Sequence, residues 1–395
     1  MSGDRLTVRD PVHGFIRADE LEAALVATRP MQRLRSIRQL GLTNLIFPGA
    51  EHSRFSHALG AMHLAGRTYD ALAPRSGGAL PTADDCWERR AVRAAALLHD
   101  VGHAPFSHTA EDRFEDGIDH EEMTRRLLAL PEIEGAFDEH GAGLEPQQVR
   151  DLLEGKVSGT LRLLYQVISG ELDVDKMDYL LRDSLFCGVE YGKFDLERLL
   201  ETAVPIEDPK TGLWGVGVHA GGVHALEAMV LARYYMFTQV YFNTTGKVLE
   251  LHLGEWLREE EVFWSSEPEA FLELDDTTIL SRMRKSQTLH ARAVLAREHF
   301  VVARETKEHL SAEEKSAFEE RLASLPDALR SQLLVSNSAK DPHRLSRSGV
   351  LVANRGVTVP MKEASHFIKH LTKIDQYRVY CPSALRREVA EALGK

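Results

Sequence analysis

The segment Leu97-Leu98-His99-Asp100-Val101-Gly102-His103 constrains this chain more than any other. It follows an apolar helical stretch, Ala91 to Leu98, so a His-Asp pair stands at the end of a helix that reads as buried. An ionised Asp beside an imidazole is costly to bury unless a cation or a hydrogen-bond network compensates. The pair therefore predicts a helical core wrapped around a polar centre, with further ligands supplied from elsewhere in the chain.

Two other segments supply them. His57 sits in Arg54-Phe55-Ser56-His57, and Asp175 in Leu172-Asp173-Val174-Asp175-Lys176-Met177-Asp178-Tyr179. Taken singly, His57 reads as a core or helix-surface histidine, and Asp175 as a cap or ion-pair partner. Taken with His99 and Asp100, the four read as metal ligands. Imidazoles and carboxylates without a thiolate suit a divalent ion such as Mn, Mg, Fe, Co, Ni or Zn. Few protein ligands leave positions for water and substrate.

Around this set lie candidate proton-transfer and substrate residues. His103 is four residues beyond His99, and Glu111 and His120 complete a polar cluster. A histidine near a metal-bound phosphate can stabilise charge or give a proton to a leaving alkoxide. Arg54 stands three residues before His57, on the same helical face, and its planar fork suits phosphate. Lys176 follows Asp175, Tyr179 is placed to pack on a sugar, and Asp183 to bond a hydroxyl. Arg33, Arg35 and Arg38 read as a solvated helix face.

Helical patterns dominate from about Leu21 to Leu200. Ser53, Asp84 or Asp85, and Asp119 are expected helix caps. Leu213 to Val218 reads as a strand, and one helix is expected from about Val223 to Leu257. Val350-Leu351-Val352 and Tyr377-Arg378-Val379-Tyr380 read as strands, with helices around them. The expected fold is mainly α: a helical core with further C-terminal helices and a small α+β appendage. Residues 1–200 are expected to form the catalytic core with an N-terminal extended segment. Residues 201–340 are expected to be a helical extension that completes the site and makes oligomer contacts, and 341–395 the small α+β unit.

Composition narrows the partners. The chain has 48 basic and 60 acidic residues, a net charge of -12, which disfavours general binding to nucleic acid or anionic membrane. Cys86, Cys187 and Cys381 are far apart and odd in number, so neither a disulfide framework nor a Cys-x-x-Cys zinc site is indicated. No apolar leader or membrane-length run is visible. A cytoplasmic protein is the expectation.

The motifs carry a family resemblance over about residues 5–200. The chain resembles the HD-domain phosphohydrolases, and more narrowly the HD-domain dNTP triphosphohydrolases. The matching pieces are Asp10-Pro11-Val12-His13-Gly14, Gln39-Leu40-Gly41, Phe47-Pro48-Gly49-Ala50, His52-Ser53-Arg54-Phe55-Ser56-His57, His99-Asp100-Val101-Gly102-His103 and Asp173-Val174-Asp175-Lys176-Met177-Asp178-Tyr179-Leu180. The resemblance implies that His57, His99, Asp100 and Asp175 hold the metal. It implies proton-transfer roles for His103 and His120, with Glu111 orienting one of them where the family often has Asp. It implies substrate contacts from Gln39, Arg54, Lys176, Tyr179 and Asp183. The implied reaction is attack of an activated water on the α-phosphorus of a dNTP, giving a deoxynucleoside and intact triphosphate. A homo-oligomer, tetramer or hexamer, and a nucleotide effector are also implied. Leu6 and Ala27, however, stand where animal relatives carry the Lys and Asp that bind the activating nucleotide. The residues alone indicate metal-assisted phosphoester hydrolysis. Another HD phosphohydrolase, acting on a nucleoside monophosphate, cyclic dinucleotide or alarmone, and a non-catalytic nucleotide sensor or nucleic-acid-binding module are the competing readings.

Overall fold

A computed structural model of the chain describes residues 6–340 and 350–394, the side chains of residues 108 and 109 excepted. Alternating residues in Leu6–Asp10 (β1) and Gly14–Ala18 (β2) pair as an antiparallel hairpin. The Asp10 carboxylate accepts the backbone N–H groups of Val12 and His13 at 2.9 Å, which fixes the turn. Helices follow: α1 (Glu20–Ala27), started by a capping box of Asp19 and Glu22, then α2 (Arg29–Arg33). The central element is α3 (Arg54–Leu72), buried over most of its length, with α4 (Trp87–Leu98) and α9 (Val174–Cys187) packed on it. Between them lie α5 (His120–Leu127), α6 (Pro131–His140), α7 (Pro146–Leu153) and α8 (Leu161–Ser169). The chain is mainly helical, and one large apolar core runs through these helices.

Caps explain several boundaries. Asp119 accepts the Glu122 N–H at the start of α5, and Asp173 accepts the Lys176 N–H at the start of α9, both at 2.8 Å. The α4 expectation shifts: the helix begins after Cys86 with no side-chain cap, so neither Asp84 nor Asp85 serves. Ser53 precedes α3 without a side-chain capping bond.

The second half begins with α10 (Leu196–Thr202), β3 (Ala203–Glu207) and β4 (Trp214–His219). The single helix expected from Val223 to Leu257 is divided into α11 (Val223–Met236), a π-turn at Phe237–Tyr241, and α12 (Thr244–Glu259). The division has a local and a distant cause. The Asn243 side chain accepts the Thr245 and Gly246 N–H groups and so caps a new helix. Far along the chain, Arg378 Nη1 donates to the Phe242 carbonyl at 2.6 Å.

Two sheets tie the C-terminal third together. β7 (Leu351–Asn354) runs parallel to β4 and pairs with β8 (Val357–Pro360), giving the order β3-β4-β7-β8. β9 (Ile374–Cys381) lies between β5 (Val301–Glu305) and β6 (Leu334–Lys340). Strands after residue 341 thus pair with strands before it in both sheets. Phe318, Leu329, Val379, Val389 and Leu393 form a small separate core against the second sheet.

Candidate metal centre and cavity

Three elements converge to build the polar centre. His57 lies one turn into α3, His99 and Asp100 follow the end of α4, and Asp175 is in the first turn of α9. The donor atoms of His57, His99 and Asp100 all lie within 4.8 Å of one another. His57 Nε2 is 3.7 Å from Asp100 Oδ2 and 3.0 Å from Asp175 Oδ1. His99 Nε2 is 3.3 Å from Asp100 Oδ1 and 3.7 Å from Asp175 Oδ1.

The ring orientations test whether a cation fits. His57 Nδ1 bonds Asp178 Oδ2 and His99 Nδ1 bonds the Ala96 carbonyl, both at 2.8 Å. Both Nε2 atoms are buried and lack a hydrogen-bond partner. Each ring thus donates from Nδ1 and turns Nε2 toward two carboxylates, an arrangement suited to a divalent ion. Burial opposes charge on His57, yet contacts with Asp175 and Asp178 push its pKa up to about 10. Burial likewise works to raise Asp175, but His57 and His99 hold it well below the usual carboxylate range.

Beside this centre, His103 Nδ1 is 3.2 Å from Asp100 Oδ1, and the His103 and His120 rings lie 4.3 Å apart. Gly102 permits that approach. A Cβ there would lie 2.2 Å from the His120 carbonyl oxygen and 2.4 Å from the Thr124 nitrogen, so only glycine lets the start of α5 close on the loop. His120 Nδ1 bonds Glu111 Oε1. Burial disfavours the His120 cation, but Glu111 outweighs it and raises the His120 pKa.

A cavity of about 720 Å³ opens over these groups. His99, Asp100, Asp175, His103 and His120 line it, as do Gln39, Arg54, Lys176, Tyr179 and Asp183. His57 and Glu111 are not among the lining residues, and Glu111 bonds His120, which is. Most of these side chains already have partners. Arg54 bonds Asp100 and donates to Ser107 Oγ at 2.9 Å. Lys176 bonds Asp173 and the Gly170 carbonyl. Asp183 bonds His52 Nε2 at 2.8 Å and accepts the Tyr241 hydroxyl at 2.7 Å. Gln39 Oε1 is buried without a partner.

Sequence reasoning missed several residues here. Arg233, Tyr241 and Lys340 also line the cavity, and no local pattern marks them. Asp178 had a signal: it lies three residues after Asp175 on one helix face. One expectation is corrected. Arg33 is buried rather than solvated: its guanidinium donates to the Leu274 and His103 carbonyls and stacks 4.2 Å from the Phe271 ring.

Residues 54–181 match the HD domain family, and residues 194–395 match the family described as the HD associated region. The chain belongs to the HD-domain family. The uncharacterized protein YwfO of Bacillus subtilis is 36% identical over 293 residues, 69% of this chain. The chain spans 64% of that protein's length, less than two thirds. A deoxynucleoside triphosphate triphosphohydrolase SAMHD1 homolog from Dictyostelium discoideum is 27% identical over 95% of this chain and 77% of its own. The crystal structure of a hypothetical protein from Aquifex aeolicus matches with a TM-score of 0.83 and 30% identity, covering 98% of this chain and 100% of that one. Among the described residues, no helix is long and apolar enough to cross a membrane, and all three cysteines are free.

Proposed function

We propose that this HD chain is a metal-dependent phosphohydrolase that converts deoxynucleoside triphosphates to deoxynucleoside and triphosphate. The observation that carries the reading is the pair of buried imidazole nitrogens of His57 and His99 facing Asp100 and Asp175, beside a cavity wall that also bears Arg54, Lys176, Arg233 and Lys247. These basic groups stand among carboxylates, and a polyanion bound together with a cation is the ligand that such a mixed wall suits. The name of the Dictyostelium relative supports the triphosphate reading.

His57, His99, Asp100 and Asp175 would hold the ion. When bound, a divalent ion supplies an acidified water and neutralises phosphate oxygens. The chain's own residues do the rest. Arg54 and Lys176 exchange their present carboxylate partners for phosphate oxygens and fix the α-phosphorus over the centre. Tyr179 packs against the deoxyribose, and Asp183 accepts its hydroxyl. His120, whose proton Glu111 favours, gives that proton to the departing 5′-oxygen, and His103 stabilises charge on the phosphate. We extend the reading to a homo-oligomeric assembly.

The test is an anion-exchange product screen over all dNTPs and NTPs with Mg²⁺, Mn²⁺ and Co²⁺, singly and mixed. Tripolyphosphate released from a dNTP is the expected product. Orthophosphate or pyrophosphate alone would move the chain to another HD phosphohydrolase class, and no product with any ion would leave a nucleotide sensor.

A further inference from the structure

Behind the candidate metal centre lies a buried charge network that the proposed reaction does not use. Asp178 is completely buried at its centre. Its Oδ2 accepts from His57 Nδ1 and from Arg182 Nε, both at 2.8 Å. Its Oδ1 accepts from His13 Nε2 at 2.7 Å and Arg182 Nη2 at 2.9 Å. Arg182, also completely buried, donates its remaining arm to Asp10 Oδ2 at 2.8 Å. Asp10 in turn holds the hairpin turn through its other oxygen. The network thus runs from the β1–β2 turn through α9 to one nitrogen of a candidate ligand.

The sequence makes room for it. Gly60 lies three residues after His57 on α3. A Cβ at Gly60 would stand 1.9 Å from Asp178 Oδ1 and 2.4 Å from Arg182 Nη2. A buried ion pair is poor evidence of stability, because desolvation offsets its attraction. A network that consumes a glycine, two carboxylates, an arginine and a histidine therefore calls for another purpose. Among the described residues, it meets the centre at the His57 ring. A carboxylate there sets which ring nitrogen carries the proton and fixes the ring plane.

We propose that Asp178 is a positioning residue for the metal centre, holding His57 with its proton on Nδ1 and Nε2 presented to the ion, and that Arg182, His13 and Asp10 hold Asp178. The proposal rests on the reading of His57 as a ligand. Asp178 itself touches neither substrate nor ion.

The experiment measures Co²⁺ and Mn²⁺ affinity by calorimetry on the full chain: wild type, His57→Ala, Asp178→Asn and the double variant Asp178→Asn/Arg182→Met. The double variant removes both members of the Asp178–Arg182 pair, and Asp10 keeps its bonds to the turn N–H groups. Circular dichroism confirms folding. The expected result is a loss of about tenfold to a hundredfold in affinity for both Asp178 variants. In Co²⁺-loaded protein, the wild type should show two strongly shifted, exchangeable ring N–H proton resonances. Asp178→Asn should displace only that of His57, a change that general loosening of the fold does not produce. Wild-type affinity and an unmoved His57 resonance in the folded double variant would overturn the positioning role while leaving the metal reading intact. Failure of the wild type to bind either ion, or full affinity in His57→Ala, would overturn the metal reading and this inference with it.

Discussion

Asp100 and Phe242 both line the cavity, yet they are held by different means. Asp100 is surrounded by side chains from the HD motifs: Arg54, His57, His99 and His103 all approach its carboxylate. Phe242 is bracketed through the backbone by the C-terminal sheet. Arg378 donates to its carbonyl, and the Tyr380 hydroxyl donates to the Thr244 carbonyl at 3.1 Å. At the first position residue identity sets the chemistry. At the second, distant residues set only where a stretch of chain runs. Damage to the first should cost rate by orders of magnitude, and damage to the second should cost binding by small factors.

Four experiments press on that contrast. Asp100→Ala should remove the ion and lower turnover roughly a thousandfold or more, since the charge stabilisation an ion supplies amounts to several kcal/mol. Elemental analysis and circular dichroism should report loss of metal with the fold kept.

Asp276→Ala tests a case between the two kinds. Asp276 belongs to the HD associated region, but its carboxylate accepts the N–H groups of Arg38 and Phe106, both at 3.0 Å. Phe106 and Ser107 have left-handed φ values of 58° and 55°, and Ser107 carries the Arg54 contact. Leaving buried N–H groups unpaired should cost about 2–3 kcal/mol in urea unfolding. Turnover should fall along with it, because the loop after His103 loses its support.

Glu111→Gln addresses proton transfer. The Glu111 carboxylate raises the His120 pKa against burial, so the acid form persists to higher pH. Its loss lets His120 shed its proton at lower pH. The basic limb of the pH–rate profile should shift down, and the rate at neutral pH should fall about tenfold, with metal content unchanged.

Arg378→Met is the mildest. KM should rise a few-fold as the Phe242 segment relaxes, with kcat within about twofold and metal affinity as in wild type. A thousandfold loss of kcat would place the C-terminal sheet in the chemistry and end the contrast.

The same contrast explains what the sequence revealed. The convergence of His57, His99, Asp100 and Asp175 was legible because they sit in three short motifs, each at a helix start or end. The mainly helical core followed from apolar spacing at Ala91 to Leu98 and along α3. The Phe242 break was not legible, because Asn243 favours a cap while the spacing of Val223 to Leu257 favours continuity, and Arg378 lies 136 residues away. Asp276 pairs with Phe106 across 170 residues. Arg33 was misread for the same reason: a charged residue among other arginines reads as solvated, and its burial comes from Phe271 and Leu274 far along the chain.

Gly60 carries a consequence beyond this chain. Its missing methyl group leaves room for one carboxylate and one guanidinium, so the three positions are expected to change together. A descendant that gains an alanine at 60 must move or replace the side chains at 178 and 182, and comparing distant descendants will reveal whether the three have changed together.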